Sequence, residues 1–248
     1  MKFVGIGACV AVVGLCASSA WAGDYYVSGA LGAVFRSPYT TTVNQPTDPF
    51  GNRLFVNSQP VPFSENETTD FRTGFEADAA LGRRFSLGRY GAIRAEAEFS
   101  YRDYQVGTSI VSSLPGQAYS TTVNATLKTT RGLDQRRYAE TANLFYDLAP
   151  IGGVTPYLGG GVGYQEGVTT SGDRLRTAVI TSGGVQTNAT STIHQDSSSA
   201  NDGTWFAETG VAVPLTKRLS LAPAYRFSQE FDGQKPIHLM RVALRYSF

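Results

Sequence analysis

Within the last twelve residues of the chain, 237–248, apolar or aromatic residues occupy every second position from Met240 to Phe248. A β-strand points successive side chains to opposite faces, so this segment is predicted to have one apolar face and one face carrying Arg241 and Arg245. Such a strand is typical of a transmembrane β-barrel wall, which meets lipid outside and a polar lumen inside. The residues of the apolar face are Met240, Val242, Leu244, Tyr246 and Phe248.

The beginning of the chain predicts export. Residues 1–22 combine a charged start at Lys2, an apolar stretch over 3–15 and the small-x-small pattern of residues 20–22, which is typical of a cleaved signal peptide. The apolar stretch is shorter than the roughly 20 residues of a spanning helix. Lipidation at Cys16 is the less favoured alternative, because the bulky Leu15 precedes the cysteine.

Cysteine usage and charge exclude several classes of protein. Both cysteines, Cys9 and Cys16, lie within residues 1–22, so the remaining chain is expected to have no disulfide and no thiol chemistry. The formal net charge of +1 gives no reason to expect a nucleic-acid partner. No motif indicates a cofactor.

Period-two alternation recurs through residues 23–248, which are predicted to form one all-β domain, an eight-stranded antiparallel up-and-down barrel with long extracellular loops. Glu140 interrupts the alternation of the fourth strand and is expected at the rim or beside a bulge. The glycine-rich fifth strand is expected to leave room for large side chains in the lumen. The predicted strands cover 25–35, 71–81, 92–104, 138–148, 155–165, 204–213, 219–231 and 237–248.

Charged residues of these strands fall almost entirely on one face, which predicts a lumen that pairs its own charges. Moving an Arg to the lipid face near the bilayer midplane costs about 2 to 4 kcal/mol. Shifting every strand by one residue would turn all of these charges toward lipid. The free-energy cost would exceed the roughly 5 to 15 kcal/mol stability of a typical domain. The predicted lumen charges are Arg72, Glu76, Asp78, Arg94, Glu96, Glu98, Arg102, Asp147, Glu208, Arg226, Arg241 and Arg245.

The predicted connections differ in length. Those after strands one, three and five are long and the others are short, which is the asymmetry between extracellular loops and periplasmic turns. An even number of strands then places both termini in the periplasm. The hairpin-like segments 105–127 and 175–193 could instead be wall strands, which would give ten or more strands and a channel.

A structural interpretation of the acidic residues and histidines is favoured over a catalytic or metal-binding one. The two-residue spacing of Glu76, Asp78, Glu96 and Glu98 is what inward strand positions produce, so paired lumen charges are favoured over a glycosidase pair or a cation site. His194 lies in a polar segment, and the sequence after His238 lacks the His-x-Ser pattern of membrane-embedded lipid A deacylases.

Three stretches together resemble small bacterial outer-membrane barrels of the opacity and OmpA-like type: residues 24–29, 155–164 and 244–248. The resemblance implies outer-membrane location, lipid as surroundings and recognition of Leu244, Tyr246 and Phe248 by the barrel-assembly machinery. Because the interior of an eight-stranded barrel is only wide enough for side chains, we expect a non-catalytic protein whose loops serve envelope integrity, adhesion or recognition, through a host or surface ligand. A narrow channel is the alternative, and a lipid-modifying enzyme ranks last.

Overall fold

The computed structural model describes residues 23–45, 55–56, 59–60, 63–113, 124–128, 133–170, 172–182, 185–231 and 236–248. The predicted signal peptide, residues 1–22, lies outside them. No helix within the described ranges is long and apolar enough to cross a membrane. One short 3₁₀-helix occupies Gly88–Tyr90.

The described chain is built almost entirely from β-strands. In chain order they are β1 (Gly23–Arg36), β2 (Tyr39–Gln45), β3 (Phe55–Val56), β4 (Gln59–Pro60), β5 (Phe63–Phe71), β6 (Gly74–Ser86), β7 (Ala92–Ser113), β8 (Asn124–Lys128), β9 (Leu133–Asp147), β10 (Thr155–Thr169), β11 (Gly172–Ser182), β12 (Val185–Gln195), β13 (Ser198–Pro214), β14 (Leu219–Glu230) and β15 (Ile237–Ser247).

Eight of these strands form a closed antiparallel barrel, as the sequence predicts. The order around the wall is β1, β6, β7, β9, β10, β13, β14 and β15, and β15 pairs back onto β1 with Ala30 opposite Ala243. Closure leaves no unpaired strand edge in the wall, which is the condition for a sheet to stand in a hydrocarbon environment.

Tight turns join the wall strands at one end of the barrel, which also holds both ends of the described chain and is called the turn end. Gly88 and Gly91 have φ values of 63° and 107°, and Gly152 and Gly153 have 59° and 85°. These left-handed conformations suit glycine and allow the chain to reverse between β6 and β7 and between β9 and β10.

The opposite end, called the outer end, contains more strand than the sequence predicts. β7 continues to Ser113, and β2, β5 and β8 extend the same sheet within segments expected to be loops. The sequence predicts loops in these segments because their Thr- and Ser-rich alternation lacks an apolar band. In the structure they pair as strands, which threonine favours. β11 and β12 form a separate two-stranded sheet, so in the described residues they are not wall strands.

A β-bulge corrects the predicted start of the second wall strand. Phe71 is opposite Val106 and Phe75 is opposite Asp103, so β5 and β6 carry one more residue than β7 over this stretch. The extra residue inverts the alternation. Phe71, expected on the lipid side, therefore packs against Tyr104 in the lumen, with ring centroids 6.1 Å apart.

Candidate functional site

The lumen is the region where the chain concentrates unusual chemistry, because most of its charged side chains are buried there. Inward positions of the wall strands hold charged residues with 1% to 9% exposure, while outward positions hold apolar residues such as Leu31 (69% exposed) and Met240 (61% exposed). Buried charges are tolerated only when paired and hydrogen-bonded, so their partners define what the lumen does.

Arg226 of β14 is the centre of the largest ion-pair cluster. Its Nη1 and Nη2 donate to the two carboxylate oxygens of Glu98 at 2.5 and 2.8 Å, and its Nε donates to Glu208 at 2.7 Å. The guanidinium also lies 3.8 Å from the ring centroid of Phe206. One arginine thus ties β7, β13 and β14 together through bidentate, charge-assisted bonds.

Arg241 of β15 extends this cluster to the first part of the barrel. Its Nη2 donates to Asp78 at 2.7 Å and its Nη1 donates to Glu208 at 3.1 Å. Arg102 pairs with Glu76, and the Nδ2 of Asn143 donates to Glu98 at 3.2 Å. We call this cluster the central layer; it comprises Glu76, Asp78, Glu98, Arg102, Glu208, Arg226 and Arg241.

The turn-end layer combines ion pairs with aromatic rings. Arg94 donates through Nε to Asp147 at 2.7 Å and pairs with Glu96, which also accepts a hydrogen bond from the Tyr26 hydroxyl. Its guanidinium lies 4.6 Å from the ring centroid of Phe145. This layer comprises Tyr26, Arg94, Glu96, Phe145, Asp147, Tyr157 and Arg245.

Tyr157 joins the two layers. Its hydroxyl donates to Glu208 at 3.0 Å, while the guanidinium groups of Arg94 and Arg245 lie 4.9 and 4.6 Å from its ring centroid. The ring is 1% exposed, so it fills the lumen between the layers.

Glycines opposite these rings make the filling possible. In each case an inward aromatic residue faces a glycine on the neighbouring strand, and the ring or its backbone occupies the space that a Cβ would need. The prediction that glycine leaves room for large lumen side chains fits this arrangement. The cross-strand pairs are Tyr26 with Gly82, Phe145 with Gly159, Phe206 with Gly161 and Tyr157 with Gly210.

The outer layer of the lumen combines an apolar cluster with buried polar side chains such as Gln165. Val34, Tyr104, Ile237 and Leu239 are each at most 3% exposed and pack as one cluster. Further charges lie at this end of the barrel, where Arg137 pairs with the buried Glu230. Side chains therefore occupy the lumen at all three levels, as expected for eight strands.

Arg72 is the one predicted lumen charge that the structure places elsewhere. The side chain is exposed and donates to Gln105 Oε1 at 3.3 Å, because the bulge inverts the alternation on which the prediction rested. Glu140 is half-buried on the outward side, and the pairing of β9 runs through it without a bulge. The other predicted lumen charges are buried: Glu76, Asp78, Arg94, Glu96, Glu98, Arg102, Asp147, Glu208, Arg226, Arg241 and Arg245.

The residues predicted to direct assembly lie at the turn end of the outward face. Leu244, Tyr246 and Phe248 are all exposed, and the backbone N–H of Phe248 donates to the Tyr25 carbonyl oxygen at 3.0 Å. That bond ties the end of the last strand to the first strand.

The lumen aromatics were the functional residues that sequence reasoning missed. Tyr26, Phe145, Tyr157 and Phe206 all lie at the inward positions of their strands, and the period-two alternation was the signal that could have found them. Within the described part of the chain, no group of three or more His, Cys, Asp or Glu side chains is placed to hold a metal ion.

Comparison with known proteins leaves the family open. No protein-family model matches the chain, and no curated protein matches its sequence. Among solved structures it is similar to Neisserial surface protein A, with 14% identity, 92% of this chain and 99% of that chain covered and a TM-score of 0.41. OprG of Pseudomonas aeruginosa gives 12% identity, 92% and 97% coverage and a TM-score of 0.42.

A third similar structure is Ail, the attachment invasion locus protein of Yersinia pestis. It gives 13% identity, covers 91% of this chain and 97% of that chain, and has a TM-score of 0.35. At these values the comparisons add no argument on activity, and the geometry of the wall and lumen carries the conclusions below.

Proposed function

We propose that this protein is an integral, non-catalytic protein of the bacterial outer membrane, whose sealed barrel anchors surface-exposed strands and loops for envelope integrity or for adhesion and recognition. The observation that carries the proposal is the inverted polarity of a closed barrel, with apolar residues outside and paired charges inside. The opacity and OmpA-like resemblance is part of the same proposal.

The outward face supports a membrane location. Large apolar side chains are exposed on seven of the eight wall strands, from Leu31 on β1 to Val242 on β15, and β13 presents the half-buried Trp205. Contiguous apolar surface of this extent is rare on soluble monomers, and it needs a covering. A bilayer supplies one around the whole circumference, and a closed barrel satisfies its own backbone hydrogen bonds there.

The filled lumen supports an anchor over a channel. Ion pairs and rings fill its centre and turn end, and an apolar cluster fills the level above them. A continuous water path would require several of these buried groups to move together, at the cost of leaving charges unpaired. The anchor proposal requires no cofactor.

Strand length supports a role for the outer end. A tilted membrane strand needs about 9 to 11 residues, whereas β7 has 22 residues and β13 has 17. The surplus at the outer end is rich in Thr, Ser and Asn and suits water. In this proposal the outer end faces the surroundings of the cell, where a host or surface ligand binds, and both termini face the periplasm.

The first test is conductance of the refolded protein in a planar bilayer. We expect no steady channel at neutral pH, because the central layer closes the lumen. A variant carrying both Arg226→Ala and Arg241→Ala is the matched control, since removing two guanidinium groups opens space at that level. Large, steady openings of the unmutated protein would overturn the anchor proposal in favour of a channel.

A second test addresses recognition at the surface. Replacing residues 172–195, which form β11 and β12, with a short Gly-Ser linker leaves every wall strand intact. We expect the variant to keep heat-modifiable migration on a gel while cells carrying it lose adhesion to matrix-coated surfaces. Unchanged adhesion and unchanged envelope integrity would remove this outer hairpin from the proposed function.

Assembly gives a third test. Because Phe248 lies exposed at the end of β15, Phe248→Ser leaves the lumen unchanged and is expected to lower the amount of barrel in the outer membrane severalfold. Quantitative blotting of membrane fractions measures this. Ser247→Ala, one residue away on the other face, is the control, and equal loss in both variants would contradict a specific assembly signal.

A further inference from the structure

We infer that the outward wall of β9, β10 and β13 carries a binding site for an amphiphile with an ammonium head group and an apolar chain, such as an amine-headed phospholipid. The inference rests on the proposed membrane location of the barrel. It follows from a groove in the wall and from two carboxylates at the upper end of that groove, which take no part in the ion pairs of the lumen.

The groove lies where the wall has the least side-chain cover. It has a volume of about 610 Å³ and crosses Gly160 and Gly161, between Leu144 and Trp205. Gly160 points outward between Leu144 on one neighbouring strand and Ala207 on the other, so two of the three adjacent strands present little side chain at this level. Its lining is mainly apolar and suits a hydrocarbon chain.

Four residues form a head-group site at the upper end of the groove. Glu140 is opposite Tyr164 and Tyr138 is opposite Glu166 in the pairing of β9 with β10, so carboxylates and phenol rings alternate at the corners of a square. All four point outward. Tyr164 is 55% exposed, and Tyr138 is 39% exposed with one side of its ring packed against Tyr101, the ring centroids 5.2 Å apart.

Neither carboxylate has a cation of its own. In the described ranges Glu140 and Glu166 form no ion pair. The Nε of the nearby Arg136 lies 3.9 Å from Oδ2 of Asp103 on β7, the other neighbour of β9. A carboxylate on the lipid-facing side of a barrel costs free energy, and ionisable residues in such positions usually mark a functional site.

The chemistry of the four residues selects an ammonium group. Two carboxylates attract a cation and accept its hydrogen bonds, and two phenol rings add cation–π attraction. A phosphate or carboxylate head group alone would be repelled. An amphiphile whose ammonium group sits among the four residues can extend its chain down the groove past Val162 and Trp205.

Trp205 is a built-in reporter for this site. The chain has two tryptophans, Trp21 and Trp205, so in a Trp21→Phe chain all tryptophan fluorescence comes from the wall of the groove. Bromine atoms on a lipid chain quench tryptophan only at close contact. The experiment places this chain in phosphatidylcholine vesicles containing a minor fraction of either brominated phosphatidylethanolamine or brominated phosphatidylcholine.

We expect both lipids to quench Trp205 and the ethanolamine lipid to associate about fivefold more strongly, as one partly buried ion pair allows. Glu140→Gln combined with Glu166→Gln should abolish the preference. Ala142→Phe, which fills the groove, should reduce quenching by both lipids. Asp70→Asn removes an exposed carboxylate from β5 and should leave the preference intact.

The outcomes separate this inference from the proposed function. Equal quenching by the two lipids, or a preference that survives loss of both carboxylates, overturns the head-group site while leaving the membrane location supported. Quenching by neither lipid, with no dimer formed, means that Trp205 does not face acyl chains. That result overturns the proposed membrane location itself. Trp205 shielded from both lipids in a cross-linkable dimer would assign the groove to a second copy of the chain.

Discussion

The central layer and the turn-end layer of the lumen stabilise buried arginines in different ways. Arg226 and Arg241 are surrounded by carboxylates, and each contacts at least two of them. Arg245 instead lies over the ring of Tyr157, 4.6 Å from its centroid. Arg241 therefore depends on carboxylates and Arg245 on an aromatic face, whereas Arg226 and Arg94 each contact groups of both kinds.

This difference shows how a barrel can fill a lumen that must hold arginines. Carboxylate partners give directional, bidentate bonds, but each added acid also needs a cation. Rings accept a guanidinium without adding charge, and they occupy volume above the glycines of neighbouring strands. Using both carboxylates and aromatic rings as partners fills the lumen, although not every arginine has a carboxylate of its own.

The largest expected effect comes from removing the hub of the central layer. Arg226→Ala leaves Glu98 and Glu208 without their closest cation, and breaking such a buried pair costs about 3 to 5 kcal/mol. Urea unfolding of the barrel in lipid vesicles, followed by Trp205 fluorescence, measures the loss. Arg136→Ala, at an exposed pair, should cost less than about 1 kcal/mol, and similar losses for both would contradict the hub role.

Coupling between two members of the central layer should be the next largest effect. Arg241 and Asp78 are 2.7 Å apart and both are buried. A double-mutant cycle with Arg241→Met and Asp78→Asn is therefore expected to give about 2 kcal/mol of interaction free energy. Additive single effects in the same unfolding measurement would show that Asp78 is held by other groups.

Arginine-to-lysine substitutions compare the two layers directly. Arg245→Lys keeps the charge and weakens the stacking on Tyr157, which should cost about 0.5 to 1 kcal/mol. Arg241→Lys should cost more, because a lysine cannot reach Asp78 and Glu208 with two separate nitrogens. Equal losses for the two variants would mean that charge alone stabilises both layers.

The smallest expected effect is at the residue that the bulge removes from the lumen. Arg72 is exposed and bonds to Gln105, so Arg72→Ala should change the free energy of unfolding by no more than about 0.5 kcal/mol. A loss near that of Arg226→Ala would instead place Arg72 in the central layer.

The wall of the barrel was predictable from the sequence because alternation and charge point to the same register. In β6 and β7, Glu76, Asp78, Arg94 and Glu98 all share the inward parity, and a slip of one residue would turn them into lipid. The fold class followed from repeating this pattern eight times. The pairing partners were not predictable, because they depend on which inward positions reach the same height across the barrel.

Other features could not be found from parity alone. One extra residue near Arg72 reversed the alternation, and Gly74, a residue type that often marks a bulge within a strand, was a local signal of it. Tyr157 and Phe145 fill the lumen because glycines on adjacent strands make room for them, and alternation alone does not show which glycine lies opposite a ring. The outer strands were missed because their Thr-rich alternation serves pairing in water and has no apolar face.

The bulge beside Arg72 separates β5 from β6, so these two neighbouring strands have independent registers against β7. On the barrel side, any change in length would rotate buried guanidinium and carboxylate groups into hydrocarbon, so the polypeptide is fixed residue by residue. Beyond the bulge the alternation has already been inverted once. No hydrocarbon surrounds the strands there, so no membrane fixes which side chains point outward. The outer sheet can therefore lengthen, shorten or shift by single residues during evolution while the embedded part keeps its geometry.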